Sequence, residues 1–211
     1  MKKIIATFAL AALAVAAHAG GMESLESFIK TAKSGSAEFT QVITAPGREG
    51  QAAKTKTSSG TFEFQRPNRF RFVYRKPFEQ TIVADGDTLW LYDVDLKQVT
   101  SRKQAKVLAS TPAALIAAAP DLETLKKDFE LQALPDSGGM QWVQALPRTK
   151  EGQLASMKVG FRGEQLAALD ILDSFGQRSL LTFNGMQVNS GVSADAFRFQ
   201  PPQGADVVKA P

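Results

Sequence analysis

A two-residue hydrophobic period constrains the fold of this chain more than any other feature. Side chains two residues apart lie on one face of a β-strand, so short segments with this period predict strands. Glycine-containing turns separate several of the segments, which predicts an antiparallel meander, open or closed, rather than βαβ units. The predicted strands are Glu38–Thr44, Ser59–Gln65, Arg69–Arg75, Glu79–Ala84, Thr88–Asp93, Lys97–Ser101, Phe129–Ala133, Gln141–Leu146, Ala155–Phe161, Leu166–Asp173 and Arg178–Phe183.

Two segments depart from this period and predict helices. Met22–Ser34 has apolar residues at helical spacing, with acidic residues early and lysines late, and Gly35 is its predicted end. Ser110–Leu125 contains a helix that is almost wholly apolar and begins at Thr111-Pro112. A helix without a polar face is buried on most sides or covers something apolar. The predicted molecule is therefore mainly β (α+β), a large sheet with two helical additions.

The N-terminus has the three parts of a secretory signal peptide. Lys2 and Lys3 precede an apolar run too short to span a membrane, and an Ala-His-Ala cleavage motif ends at Ala19. We expect residues 1–19 to be removed and residues 20–211 to form a single domain. Without Lys2 and Lys3, 23 basic residues face 21 acidic ones, so no nucleic-acid partner is expected.

The residue types of the mature chain exclude several kinds of chemistry. Cleavage removes the one histidine, His18, and the chain has no cysteine. Nucleophilic triads with histidine and the common zinc or copper sites need these side chains. Acidic residues around Asp85-Gly86 are typical of a hairpin turn. We therefore expect no catalytic residues, no metal site and no cofactor.

The stretch FQRPNRFRF, residues 64–72, continues an aromatic face. By two-residue alternation, this face contains Phe62, Phe64, Arg66, Asn68, Phe70, Phe72 and Tyr74. With Asp85-Gly86 as the turn, Ile82 pairs with Leu89 and Gln80 with Leu91, which adds Ile82, Leu89 and Leu91 to the face. The two helices either pack on it as a permanent core or form a lid over a ligand cavity. The pattern alone leaves both arrangements open.

Arg66 is the anomaly on this aromatic face. A buried guanidinium needs hydrogen-bond acceptors, and the free carbonyls at the C-terminus of a short apolar helix could supply them. Alternatively, Pro67 shifts the register and Arg66 points to solvent at the strand end. Periodicity does not choose between these orientations.

Several motifs resemble the LolA family of periplasmic outer-membrane lipoprotein carriers, in the family's order and along the whole mature chain. They are Phe39-Thr40-Gln41, Arg66-Pro67-Asn68 with Phe70, Val83-Ala84-Asp85-Gly86 with Leu89-Trp90, Thr111-Pro112 with Leu115-Ile116-Ala117, and Phe199-Gln200-Pro201-Pro202-Gln203-Gly204. The resemblance implies an incomplete antiparallel β-barrel, a half-barrel of about 11 strands, covered by a helical lid over a hydrophobic cavity.

The resemblance also implies a function and roles for individual residues. A member of this family is a monomeric, non-enzymatic chaperone of the periplasm that takes lipoproteins from the LolCDE transporter and delivers them to the LolB receptor. Arg66 would hold the lid shut, and acyl chains would contact the residues Phe62, Phe64, Phe70, Phe72, Ile82, Leu89, Leu91, Leu115 and Ile116. Ala113 and Ala114 are smaller than the family's usual lid residues. The alternative is a lipid- or lipoprotein-sensing regulatory domain of the same fold.

Overall fold

The computed structural model describes residues 20–47, 52–107, 119, 121–149 and 153–210. The predicted signal peptide and its cleavage site lie outside these residues. So do Thr111-Pro112, Leu115 and Ile116, together with most of the predicted apolar helix. The prediction of a single domain from residue 20 to residue 211 therefore remains a prediction.

Twelve strands, three α-helices and one 3-10 helix make up the described residues. The α-helices are α1 (Gly21–Thr31), α2 (Gln104–Val107) and α3 (Leu122–Asp128), and the 3-10 helix is Ala194–Phe197. The strands are β1 (Ser34–Ala45), β2 (Lys54–Gln65), β3 (Arg69–Lys76), β4 (Gln80–Ala84), β5 (Thr88–Asp93), β6 (Gln98–Lys103), β7 (Phe129–Ser137), β8 (Met140–Pro147), β9 (Leu154–Arg162), β10 (Gln165–Asp173), β11 (Arg178–Val188) and β12 (Asp206–Lys209).

All twelve strands form one open sheet in the order β12-β6-β5-β4-β3-β2-β1-β11-β10-β9-β8-β7. Neighbouring strands are antiparallel, except that β12 pairs in parallel with β6. The predicted incomplete antiparallel barrel is confirmed. The twelfth strand was not predicted because DVVK, residues 206–209, is exposed at the sheet edge and has no alternating pattern.

Pairing with neighbouring strands extends several elements beyond their sequence signals. Serines, threonines, lysines and a glycine fill the first half of β2, yet every residue from Lys54 to Gln65 pairs with β1. β2 therefore begins at Lys54, five residues before the predicted start at Ser59. The first helix ends at Thr31, not at the predicted Gly35. Gly35 lies in β1, where a Cβ atom added to it would be 2.6 Å from the ring of Phe64. This distance is too short for a side chain.

In the β4–β5 hairpin the apolar side chains lie on the predicted face, but the strands pair in a different register. Ile82 pairs with Leu91, and Ala84 pairs with Leu89, so the predicted pairing of Ile82 with Leu89 is wrong by two residues. The cause is the turn, in which Gly86 and Asp87 are the central residues and Asp85 N–H donates to Thr88 O. A shift of two residues preserves the face. Ile82, Leu89 and Leu91 therefore share one side of the sheet, as predicted.

The inner face of the curved sheet contains the core, and α1 packs against it. Leu25, Phe28 and Ile29 of α1 are buried against this face, and α1 contacts β7, β8, β9 and β10. The apolar residues of α1 recur at helical spacing because only one side of the helix meets the sheet. This arrangement places the C-terminus of α1 beside the turn that contains Arg66.

Candidate functional site

Four phenylalanines of β2 and β3 form the centre of the inner face. Phe62 pairs with Phe72, and Phe64 pairs with Phe70, so all four side chains lie on one side of the sheet. The ring centroids of Phe62 and Phe72 are 4.5 Å apart, and those of Phe70 and Phe72 are 6.2 Å apart. None of the four is more than 3% exposed. The sequence period identified this face because β2 and β3 keep their alternation up to the turn between them.

The aromatic face is larger than the sequence indicated. Phe39 of β1 lies edge-on to Phe72 at 5.4 Å and to Tyr74 at 5.0 Å between ring centroids. Phe183 of β11 lies 5.3 Å from Phe62. The sequence of β11 alone predicts Phe183 to be an ordinary core residue. Its place on the aromatic face follows only from the pairing of β1 with both β2 and β11. The same alternation within β1 was the available signal for Phe39.

Three predicted lining residues extend the face towards the edge of the sheet. Ile82 and Leu89 are partly buried against the core, and Leu91 lies opposite Ile82 on the neighbouring strand. Beyond Tyr74 the face opens into a recess of about 460 Å³. Burial raises the pKa of Tyr74 to about 12, so its hydroxyl is neutral at physiological pH.

The C-terminus of α1 closes the face at the opposite end. Phe28 lies 5.9 Å from Phe64 and 5.9 Å from Phe161 of β9, measured between ring centroids. Ala32, which caps the helix, is fully buried, and its N–H donates to Phe28 O. Apolar ligands could reach the phenylalanines beneath α1 only if α1 moved.

Arg66 joins this end of the sheet to α1 and to Ala119. Its Nε donates to Ala32 O of α1 at 2.7 Å, and its Nη1 donates to Ala119 O, close to the predicted lid sequence. The guanidinium carbon is 5.7 Å from the ring centroid of Phe28 and 5.8 Å from that of Phe64. Arg66 thus points inwards onto the aromatic face, and one acceptor is a helix C-terminal carbonyl. The solvent-facing orientation that the sequence left open is not the one adopted.

The charge of Arg66 is poorly compensated. Among the described residues, no carboxylate forms a salt bridge with it, and its buried Nη2 has no hydrogen-bond partner. Burial lowers its pKa to about 10, which still leaves the guanidinium charged at neutral pH. A cation held by two neutral carbonyls and two ring faces is stabilised less than one paired with a carboxylate. This contact can therefore break at moderate cost.

Gln104 supports the same turn and was not predicted. It is 1% exposed, its Nε2 donates to Asn68 O at 2.6 Å, and its Oε1 accepts from Gly86 N at 3.0 Å. It begins α2, the short helix through which the chain leaves β6. Its amide joins the β2–β3 turn to the β4–β5 turn. A lone glutamine has no sequence signal for such a role, because both of its partners are backbone groups in distant turns.

Asn189 fixes the other side of α1's C-terminus. Its Oδ1 accepts from Lys33 N at 2.8 Å and from Ser34 N at 3.3 Å, and its Nδ2 donates to Thr31 O at 3.0 Å. It has a φ of 58°, in the left-handed region that asparagine tolerates better than most residues. Asn189 and Arg66 therefore hold the same helix end through different groups.

The described residues lack two other kinds of feature. Within the described ranges, no group of three or more His, Cys, Asp or Glu residues could hold a metal ion. The helices described here include none that is long and apolar enough to cross a membrane.

Close relatives match nearly the whole chain. An outer-membrane lipoprotein carrier protein of Albidiferax ferrireducens is 63% identical over 98% of this chain and 99% of its own length. One of the same name from Methylibium petroleiphilum is 55% identical over 95% of each chain. Among solved structures, the LolA superfamily protein NE2245 from Nitrosomonas europaea aligns with 86% of this chain and 98% of its own, at 10% identity and a TM-score of 0.47.

The family comparison covers most of the chain. Residues 30–200 match the model described as outer membrane lipoprotein carrier protein LolA. This range includes the aromatic strands, the Arg66 turn and both turns that Gln104 joins. The chain belongs to the LolA family of outer-membrane lipoprotein carrier proteins.

Proposed function

We propose that this protein is a periplasmic chaperone that shields the acyl chains of lipoproteins on the inner face of its half-barrel. It accepts lipoproteins from the LolCDE transporter of the inner membrane and delivers them to the LolB receptor of the outer membrane. It acts as a monomer and catalyses no reaction. The names of its close relatives support the cargo. The predicted signal peptide, cleaved after Ala19, supports the compartment.

The observation that carries this proposal is the set of Arg66 contacts. A permanent core does not need an incompletely satisfied cation where two covering segments meet, because an apolar residue of similar size would be less costly there. A cover that must open and close does need hydrogen bonds of moderate strength. We therefore assign Arg66 as a latch that holds α1, through Ala32, and the predicted lid, through Ala119, in the closed form.

Opening the latch sets the affinity for lipid. Burying acyl chains contributes about 0.8 kcal/mol per methylene, so an open pocket alone would hold a lipoprotein too tightly to release it. A ligand that binds the open form gains its affinity for that form minus the free energy of opening. The Arg66 contacts add to the opening cost and thereby weaken net binding. In this account Phe62, Phe64, Phe70, Phe72, Ile82, Leu89 and Leu91 contact acyl chains, together with Leu115 and Ile116 of the lid.

Release from membranes tests the proposal. Purified mature protein is added to inner-membrane vesicles that contain the transporter, ATP and a radiolabelled lipoprotein, and the supernatant is analysed by gel filtration. We expect the lipoprotein to leave the vesicles in a soluble complex with the carrier. Retention of the lipoprotein in the vesicles, with an active transporter, would rule the carrier function out.

Depletion in cells separates the carrier from the sensing alternative. Loss of a carrier strands outer-membrane lipoproteins in the inner membrane. Loss of a lipid-sensing domain changes gene expression and leaves lipoprotein location unaltered. Membrane fractionation after depletion distinguishes these outcomes, and N-terminal sequencing of the exported protein checks the expected start at Gly20.

A further inference from the structure

The loop that contains Arg66 is short, so its two ends move together. Gln65 pairs with Arg69, and residues 66–68 alone connect β2 to β3. Asn68 completes the loop with a φ of 63°, in the left-handed region that asparagine tolerates. The proline between Arg66 and Asn68 has a fixed φ, which stiffens the loop. A displacement of Asn68 is therefore passed on to Arg66.

Hydrogen bonds hold this loop from two directions. Arg66 N donates to Lys33 O at 2.8 Å, which ties the start of the loop to the segment after α1. Asn68 O accepts from Gln104 Nε2 at 2.6 Å, which ties the end of the loop to the first residue of α2. The Gln104 contact therefore fixes the loop relative to the part of the sheet beyond β3.

The amide of Gln104 has one orientation that satisfies its partners. Its Oε1 accepts from Gly86 N at 3.0 Å, and its Nε2 donates to Asn68 O. A rotated amide would direct an N–H group at Gly86 N–H and an oxygen at Asn68 O, and neither pair forms a hydrogen bond. Gln104 is 1% exposed, and its own N–H donates to Asp87 O at 2.8 Å. Both its backbone and its side chain are therefore fixed.

The β4–β5 turn gives Gln104 a rigid reference point. Asp85 N donates to Thr88 O at 3.2 Å across this turn. The carboxylate of Asp85 accepts from Asp87 N, Thr88 N and Trp90 Nε1. This network holds the turn residues to which Gln104 is bonded. A chain of hydrogen bonds therefore leads from a rigid turn, through Gln104, to the β2–β3 loop.

The hydrogen bonds of Arg66 need accurate placement of this loop. Its Nε and Nη1 donate to Ala32 O and Ala119 O, and such bonds weaken steeply as distances and angles depart from their preferred values. Among the described residues no carboxylate forms a salt bridge with the guanidinium. No ion pair in this part of the chain would therefore draw Arg66 back after a shift of the loop.

We propose that Gln104 is a positioning residue for the release of cargo: by fixing Asn68, it keeps Arg66 within hydrogen-bond distance of both carbonyls. Loss of the Gln104 contacts weakens the Arg66 hydrogen bonds, lowers the opening cost and so slows delivery. This effect on delivery rests on the proposed carrier function, whereas the effect on the Arg66 hydrogen bonds does not.

Hydrogen exchange at the Arg66 side chain tests the positioning directly. Carrier free of lipoprotein is prepared with isotopically labelled arginine, and exchange of the Arg66 Nε–H is followed by NMR. The signal is identified by its absence from Arg66→Leu. Gln104→Met has a side chain of similar size without the amide, whereas Gln104→Asn keeps the amide but is one methylene too short to reach both partners. We expect exchange on the order of tenfold faster in Gln104→Met, and an intermediate rate in Gln104→Asn, because a displaced guanidinium exposes its N–H to water more often.

A control variant separates positioning from a general loss of stability. Leu181 of β11 is 3% exposed and pairs with Gln41, which lies about 20 Å along β1 from Gly35 and the Arg66 end of the sheet. Leu181→Ala creates a cavity there and should lower the urea midpoint without changing exchange at Arg66. Unchanged exchange in Gln104→Met, or equally accelerated exchange in Leu181→Ala, overturns the proposal.

Transfer of labelled lipoprotein to receptor-containing membranes tests the consequence for delivery. We expect Gln104→Met to take up lipoprotein and to deliver it roughly threefold more slowly than wild type. In the Arg66→Leu background the same substitution should cause no further slowing, because the contacts through which it acts are already absent. Wild-type delivery by Gln104→Met, or equal slowing in both backgrounds, also overturns the proposal. If wild-type protein takes up no lipoprotein, the carrier function fails, and the exchange measurement still decides whether Gln104 positions Arg66.

Discussion

At the scale of single residues, Arg66 is the most informative side chain of this protein. It lies on an aromatic face, has no carboxylate partner among the residues that the structure describes, and donates to the carbonyls of Ala32 and Ala119. A hydrogen bond from a charged donor is worth roughly 1.5–3 kcal/mol, and the burial of the charge offsets part of that gain. The net strength suits a contact that opens and closes.

Replacing Arg66 with leucine should separate uptake of lipoprotein from delivery. We expect Arg66→Leu to fold and to form the soluble complex, but to deliver lipoprotein at least roughly tenfold more slowly, because a lower opening cost strengthens net binding. The measurement is transfer of labelled lipoprotein from the isolated complex to receptor-containing membranes. The matched control is Arg75→Leu, an exposed residue at the far end of β3. Wild-type delivery by Arg66→Leu would contradict the latch.

Asp85 makes the stability of the β4–β5 hairpin depend on pH. Burial opposes ionisation of its carboxyl, but hydrogen bonds from Thr88 N, Trp90 Nε1 and Asp87 N outweigh burial and lower its pKa below 3.8. A carboxyl whose pKa falls on folding stabilises the protein above its unfolded-state pKa. That contribution is lost as the pH falls through the folded-state pKa.

Asp85→Asn should therefore remove part of the acid sensitivity. We expect the Tm of the variant to be lower than that of wild type at pH 7. The difference in Tm should narrow progressively below about pH 4, because the wild-type carboxyl then takes up protons and loses its stabilising charge. Thermal unfolding followed by circular dichroism between pH 7 and pH 2.5 provides the comparison. A gap that stays constant over this range would show that ionisation of Asp85 makes no contribution.

At the scale of elements, the C-terminus of α1 is held from two sides. Arg66 binds it from the sheet, and Asn189 binds Thr31, Lys33 and Ser34 through its side-chain amide. A helix end of this kind leaves carbonyl and N–H groups without helical partners, so side chains must supply them. We expect only the Arg66 hydrogen bonds to break during function, whereas the Asn189 hydrogen bonds stay in place.

Two substitutions at Asn189 separate its side-chain bonds from its backbone conformation. Asn189→Gly keeps the left-handed φ but removes the amide, whereas Asn189→Ala removes both advantages. We expect a loss of about 1 kcal/mol in the free energy of unfolding for glycine, and a larger loss for alanine, as measured by urea titration. Glycine with wild-type stability would mean that the amide contacts do not hold the helix end.

Sequence patterns predicted the presence of strands better than the residues at which the strands begin and end. The alternation in β2 and β3 gave the correct face because cross-strand pairs kept it in register. The first half of β2 was missed because its threonines and lysines carry no apolar signal and are strand only through pairing with β1. The shift in the β4–β5 hairpin arose because Gly86 and Asp87, not Asp85 and Gly86, are its central residues. These errors concern non-local pairing and turn geometry, which a local pattern does not encode.

The same limit applied to the candidate site. Arg66 could be singled out because a charge interrupted an aromatic alternation, but its orientation depended on acceptors 34 and 53 residues away in the sequence. Gln104 and Asn189 were not identified, since each acts on backbone groups of distant turns. Phe39 and Phe183 joined the face only through β1, which pairs with both β2 and β11. Side chains on one strand were predictable, whereas contacts between distant segments were not.

At the scale of the whole molecule, the half-barrel has two different ends. One end has the Arg66 contacts, the C-terminus of α1 and the turns that Gln104 joins. The other has the exposed side chains of Phe78, Leu96 and Phe175 and the recess beside Tyr74. The buried phenylalanines lie between them, so a ligand seated on the inner face would displace covering segments at one end while remaining close to the opening at the other.

Site-specific photocrosslinking tests most directly whether this inner face carries the cargo. A benzophenone amino acid is placed at Phe72, which faces inwards, or at Val73, the next residue of β3, which faces outwards. Soluble carrier–lipoprotein complexes are irradiated, and crosslinked acyl chains are identified by mass spectrometry. We predict crosslinks to the acyl chains from position 72 and few from position 73. Equal or stronger crosslinking from position 73 would contradict the account, because acyl chains would then contact the outer face of the sheet.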